Sequence, residues 1–112
     1  MSFKQERLEK IIEREISNII MTEVKDDRLK FVTITKASLT KDLSIATIYY
    51  TVLGNEEQKL ATSKSLEDAK GFIKSSLSKK LEIRKIPDLK LKYDESLEYG
   101  EKIEKILQEI KK

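Results

Sequence analysis

Cysteine and histidine are both absent from this chain of 112 residues. Without cysteine there is no disulfide, no thiolate nucleophile and no sulfur-bound zinc. Without histidine the chain lacks the side chain that most often moves protons near neutral pH and most often ligates metals. Catalysis would have to run on Asp, Glu, Lys, Ser or Tyr alone, so no catalytic residue, metal ligand or cofactor is assigned. Tryptophan is missing, proline occurs once and glycine three times, and there is no low-complexity tract. Apolar runs are short, which leaves no membrane span, and charge from Lys4 onward argues against a signal peptide. These absences point to a soluble, cytoplasmic single domain over residues 1–112 with no membrane partner.

What is present is charge. Hydrophobic and charged residues each make up 38% of the chain, and the formal net charge is +3. The segment from Lys70 to Lys92 carries eight basic residues against only Glu82 and Asp88, so the rest of the chain is acidic. A lysine-rich solvated face is the ordinary explanation for one basic helix. Here three successive elements share the bias, and clustered charge focuses potential toward a polyanion.

Hydrophobic periodicity supplies the elements. Leu8, Ile11, Ile12, Ile16, Ile19 and Ile20 form one apolar face of a helix over residues 3–22, with a capping box expected from Ser2 and Gln5. Glu15 falls inside that stripe and should reach a donor, since an unpaired buried carboxylate is costly. The stretch Lys25-Asp26-Asp27-Arg28 reads as a loop; adjacent carboxylates without further ligands are a turn, not a metal site. Residues 31–38 and 43–53, rich in β-branched and aromatic side chains, predict an antiparallel hairpin around Thr40-Lys41-Asp42. Ala46, Ile48, Tyr50 and Val52 share one face of its second strand, so Tyr49 and Tyr50 point opposite ways.

A helical pattern follows from about Glu56 to Leu81, with Leu66, Ala69, Ile73 and Leu77 as its stripe. Gly71 sits in the middle, where glycine costs on the order of 1 kcal/mol relative to alanine. The ordinary reading is a glycine tolerated for close packing; the sharper one, adopted here, is two helices, about 56–69 and 72–82, meeting at a kink that carries Lys70 and Lys74. Ile86-Pro87-Asp88 is a turn. Leu89, Leu91 and Tyr93 then alternate with Lys90 and Lys92 as a third strand, whose lysines are read mainly as keeping an edge soluble. A last helix, capped by Asp94 or Ser96, carries Ile103, Ile106, Leu107 and Ile110.

The expected fold is therefore α+β in the order α-β-β-α-α-β-α, with a three-stranded sheet and a helix kinked at Ala69-Lys70-Gly71. That order resembles the type II KH arrangement of small nucleic-acid-binding domains. The phosphate-clamping GxxG loop of ordinary KH domains is missing, because Gly54, Gly71 and Gly100 lie far apart. The remaining features run in order along nearly the whole chain: Arg14-Glu15-Ile16-Ser17, Lys25-Asp26-Asp27-Arg28, Val32-Thr33-Ile34-Thr35, Asp42-Leu43, Ala69-Lys70-Gly71, then Leu81, Arg84, Pro87 and Leu89. Together they resemble the ribosome-binding factor A family, although Asp27 stands where that family usually has proline. The resemblance implies a monomeric factor that binds the immature small (30S) ribosomal subunit through its 16S rRNA. It would assist late processing of that RNA, particularly in the cold, with release linked to a ribosome-associated GTPase.

The residues expected to engage RNA phosphates are Arg7, Arg14, Arg28, Lys70, Lys74, Lys79, Lys80, Arg84 and Lys85, with Ala69 and Gly71 setting the kink. A generic KH module that reads short single strands is the alternative. It shares the basic corner but would prefer oligonucleotides over subunits. An enzyme built on Asp26 and Asp27, and an adaptor using the C-terminal helix, are more remote readings.

Overall fold

The computed structural model describes residues 3–83 and 85–95. Helix α1 spans Phe3–Thr22, and a 3-10 turn follows at Asp27–Leu29. Strands β1 (Val32–Leu39) and β2 (Ile45–Val52) form the hairpin, helix α2 covers Glu56–Lys80, and strand β3 runs Asp88–Tyr93. The sheet order is β1-β2-β3, with β1 antiparallel and β3 parallel to β2. Two neighbouring parallel strands need a crossover, and α2 supplies it.

Both helices lie on one side of the sheet. Ile12, Ile16 and Ile19 of α1 and Leu66, Ile73 and Leu77 of α2 are fully buried in the same cluster as Ala46 and Ile48. Every second residue of β2, from Ala46 to Val52, is buried, as its alternation predicts. Tyr50 is buried there; its hydroxyl lies 2.6 Å from Ser63 Oγ and its ring meets Tyr93 edge-on at 5.6 Å. Tyr49 therefore faces the other way.

Helix α1 also guards a strand edge. Glu9 Oε2 accepts the Leu39 N–H at 2.7 Å, and Gln5 Nε2 donates to the Leu39 carbonyl at 2.8 Å. Two side chains thus satisfy backbone groups that an edge strand would otherwise leave open to another chain. Glu15, the acid inside the apolar stripe, lies 4.0 Å from Arg14 Nε.

The hairpin turn is held by Asp42, whose carboxylate accepts from Thr40 Oγ1, Ser44 Oγ and Ser44 N–H. Those bonds, led by Thr40, hold its carboxyl down to about 2. Leu43 takes a left-handed φ of 62° in this turn. A non-glycine residue there is strained by roughly 1–2 kcal/mol, and the Asp42 cage together with the partial burial of Leu43 against the core offsets it.

One expectation is corrected. The helix predicted to break at Ala69-Lys70-Gly71 is a single α-helix of 25 residues. Gly71 has no left-handed φ, lies exposed, and has nothing within 4 Å of the place a Cβ would occupy. Burying Leu66, Ile73 and Leu77 contributes about 1.5–3 kcal/mol each, which outweighs the ~1 kcal/mol cost of one helical glycine. A capping box between Asn55 and Gln58 closes the helix start. The described order is thus α-β-β-α-β, and the predicted C-terminal helix, with Ser2 of the proposed first capping box, lies outside the described residues. No helix among the described residues is long and apolar enough to cross a membrane.

Candidate nucleic-acid interface

Of the nine cations singled out by sequence, Arg84 lies outside the described residues. The other eight do not converge on one patch. At about 100° per residue, Lys70 and Lys74 project from one flank of α2, while Thr62, Ser65 and Asp68 project from the opposite one.

The first flank faces β3. Lys74 Nζ bonds Asp88 at the start of that strand. Lys74's hydrogen bond, then the charges of Lys74, Lys85 and Lys70, hold the Asp88 carboxyl below the usual carboxylate range. Lys70 also reaches Glu67 at 3.2 Å. Three cations and two carboxylates thus share this corner, leaving a modest positive excess. Along the chain Asp88 is only a minor offset to the basic segment; in the fold it is the hub of the cluster.

The opposite flank faces α1 and the 3-10 turn. Thr62 Oγ1 donates to the Arg28 carbonyl at 2.8 Å, fixing that turn on α2. Asp26 caps the turn and also grips the Arg28 side chain with both oxygens, at 3.1 and 2.9 Å. The pairing lowers the Asp26 pKa, Arg28's side-chain hydrogen bond being the main cause, and raises that of Arg28. Arg28 is thus a strut of its own loop. Nearby, Lys80 pairs with Glu23 at 3.1 Å and joins the C-terminal ends of the two helices.

Arg14, Arg28, Lys70, Lys74 and Lys80 therefore each have an acidic neighbour. Arg7, Lys79 and Lys85 are exposed and have no ion-pair partner among the described residues. Arg7 and Arg14, seven residues apart, share the outward side of α1. Sequence spacing could not reveal the Lys74–Asp88 and Lys80–Glu23 pairs, because each joins residues from different elements.

The described residues contain no group of three or more His, Cys, Asp or Glu able to hold a metal ion. Adjacent Asp26 and Asp27 serve the turn, as their spacing suggested. An apolar cleft of about 230 Å³ opens beside Arg28, lined by Phe31, Val52, Leu53 and Ala61.

Fold and site together define a KH-like α+β domain with cations along both flanks of its long helix and no GxxG clamp. The sequence model of ribosome-binding factor A matches residues 4–107, and the chain belongs to that family. It is 52% identical over 112 residues to ribosome-binding factor A of Staphylococcus saprophyticus, covering 100% of this chain and 98% of that one. The crystal structure of ribosome-binding factor A from Thermus thermophilus superposes with a TM-score of 0.70 at 25% identity, covering 80% of this chain and 93% of that one. A Thermus thermophilus ribosome-binding factor A homology model, fitted into a cryo-EM map of its complex with the 30S subunit, superposes with a TM-score of 0.65. That match is again at 25% identity and covers 80% and 93% of the two chains.

Proposed function

We propose that this chain binds the immature small ribosomal subunit through its 16S rRNA and assists late rRNA maturation, without catalysing a reaction. Membership of the ribosome-binding factor A family, one member of which is placed on the 30S subunit, carries the reading. In this reading the chain acts in the cytoplasm as a monomeric single domain over residues 1–112. It is most needed in the cold, and a ribosome-associated GTPase promotes its release.

The cations divide by role. Lys79, Lys85 and Arg7, which make no ion pair among the described residues, meet phosphates first. Lys70, Lys74 and Lys80 exchange an exposed carboxylate for a phosphate. Surface ion pairs are worth about 0–1 kcal/mol, so the exchange costs little. Without a GxxG clamp, recognition rests on the shape and backbone of folded RNA. The protein then favours whichever rRNA conformation it binds better, by no more than that difference in affinity.

Sedimentation through sucrose gradients tests this. The protein should travel with small subunits from assembly-impaired cells and be absent from translating ribosomes. Lys79→Glu with Lys85→Glu should abolish that association while circular dichroism stays unchanged. Equal sedimentation of the double variant would remove Lys79 and Lys85 from the interface, and failure of the wild-type protein to associate would refute the function.

A further inference from the structure

The sheet has a second face, and the described helices both pack on the other. On this open side the register aligns Lys36 of β1, Tyr49 of β2 and Lys92 of β3 in one row across the strands. The next row is Ser38, Thr47 and Lys90. Strands lie about 4.8 Å apart, so Lys36 and Lys92 flank the Tyr49 ring with backbones about 10 Å from each other. Lys90 sits about 7 Å further along the same face.

The bulge in β1 makes this row. The register shifts between Ile34 and Lys36, and the extra residue turns Lys36 to the face that Thr33 shares. Lys36, Lys90 and Lys92 are exposed, and none has an ion-pair partner among the described residues. The Tyr49 hydroxyl has no hydrogen-bond partner among them either. Among the described residues, acids stand only at the ends of this surface. Asp94 accepts from Thr35 Oγ1 at 2.6 Å at one end, beside exposed Glu95, and Asp88 is engaged by Lys74 at the other.

We infer that this open sheet face is a binding platform for an unpaired RNA strand, with a base stacked on Tyr49 and the adjoining phosphates held by Lys36 and Lys92. The inference rests on the RNA-binding reading above but uses the side of the sheet opposite the helices, which the α2 flank meets only at Asp88. An aromatic ring on an open sheet, bracketed by cations, suits single-stranded nucleic acid: every base has a π face, and the lysines track the backbone. Lysines on edge strands also deter edge-to-edge aggregation. That simpler role needs no aromatic between them and predicts no effect on RNA.

The probe is a fluorescently labelled ten-nucleotide oligouridylate, titrated by anisotropy over a range of salt. Tyr49→Ile keeps a β-favouring side chain and should weaken binding about tenfold, the order of one lost base stack. Tyr49→Phe keeps the ring and should bind like wild type. Lys36→Gln with Lys92→Gln should flatten the slope of log K against log salt by about 1.4, at about 0.7 per phosphate contact on a single strand. Absent wild-type binding, or variants indistinguishable from wild type with folded circular dichroism spectra, overturns the platform. Subunit sedimentation separates the two ideas. A wild-type protein that sediments with small subunits while its oligouridylate binding ignores these substitutions keeps the function and loses the platform. The converse result keeps the platform and loses the function.

Discussion

Gly71→Ala separates a structural glycine from a functional one. The residue lies inside a continuous helix, its φ is not left-handed, and an added Cβ would meet no atom within 4 Å. Alanine then gains the full difference in helix propensity, about 1 kcal/mol, part of it through a less flexible unfolded chain. For a domain near 100 residues this raises Tm by about 4 °C. Urea unfolding followed at 222 nm should show the midpoint rising at constant slope. A destabilised variant would mean that the glycine relieves strain, and the continuous-helix account would be refuted. The same protein should then be sedimented with small subunits. If Gly71 serves close approach of the helix to an RNA backbone, alanine stabilises the fold and weakens association, a trade-off common at binding sites. Stabilisation with unchanged association would leave Gly71 with no role at the interface.

Other expectations bear on the fold and its charges. Glu9→Ala removes the acceptor of the Leu39 N–H; loss of a hydrogen bond to a charged group should cost roughly 1.5–3 kcal/mol, and light scattering should show more association through the opened strand edge. Ile16, fully buried, should cost about 2–5 kcal/mol on replacement by alanine, measured by denaturant unfolding; a loss below about 1 kcal/mol would place α1 outside the core. Asp42 should titrate near 2 by NMR, below its unfolded value of 3.8. Because the folded value is the lower one, its contribution is complete above the unfolded value and fades as pH falls through about 2. The turn should therefore persist at about pH 3, and a midpoint near 3.8 would show that the Thr40 and Ser44 bonds are not formed in solution.

The sequence by itself determined the elements whose signal is local. The 3.6-residue stripe of Ile12, Ile16 and Ile19 and the two-residue alternation from Ala46 to Val52 are written in neighbouring positions, and burial follows them. The turn at Asp26 and Asp27 was readable for the same reason. Gly71 misled because a local propensity of about 1 kcal/mol was weighed without the burial on either side of it. Only the tertiary structure decided what joins distant segments. The parallel pairing of β3 with β2, the Lys74–Asp88 and Lys80–Glu23 pairs, the Glu9 clamp on Leu39, and the row of Lys36, Tyr49 and Lys92 all depend on strand order and helix placement. Charge counted along the chain places cations in a segment. Whether they meet a phosphate or a carboxylate depends on distances of a few ångströms across the fold, where the Coulomb interaction is strong enough to matter.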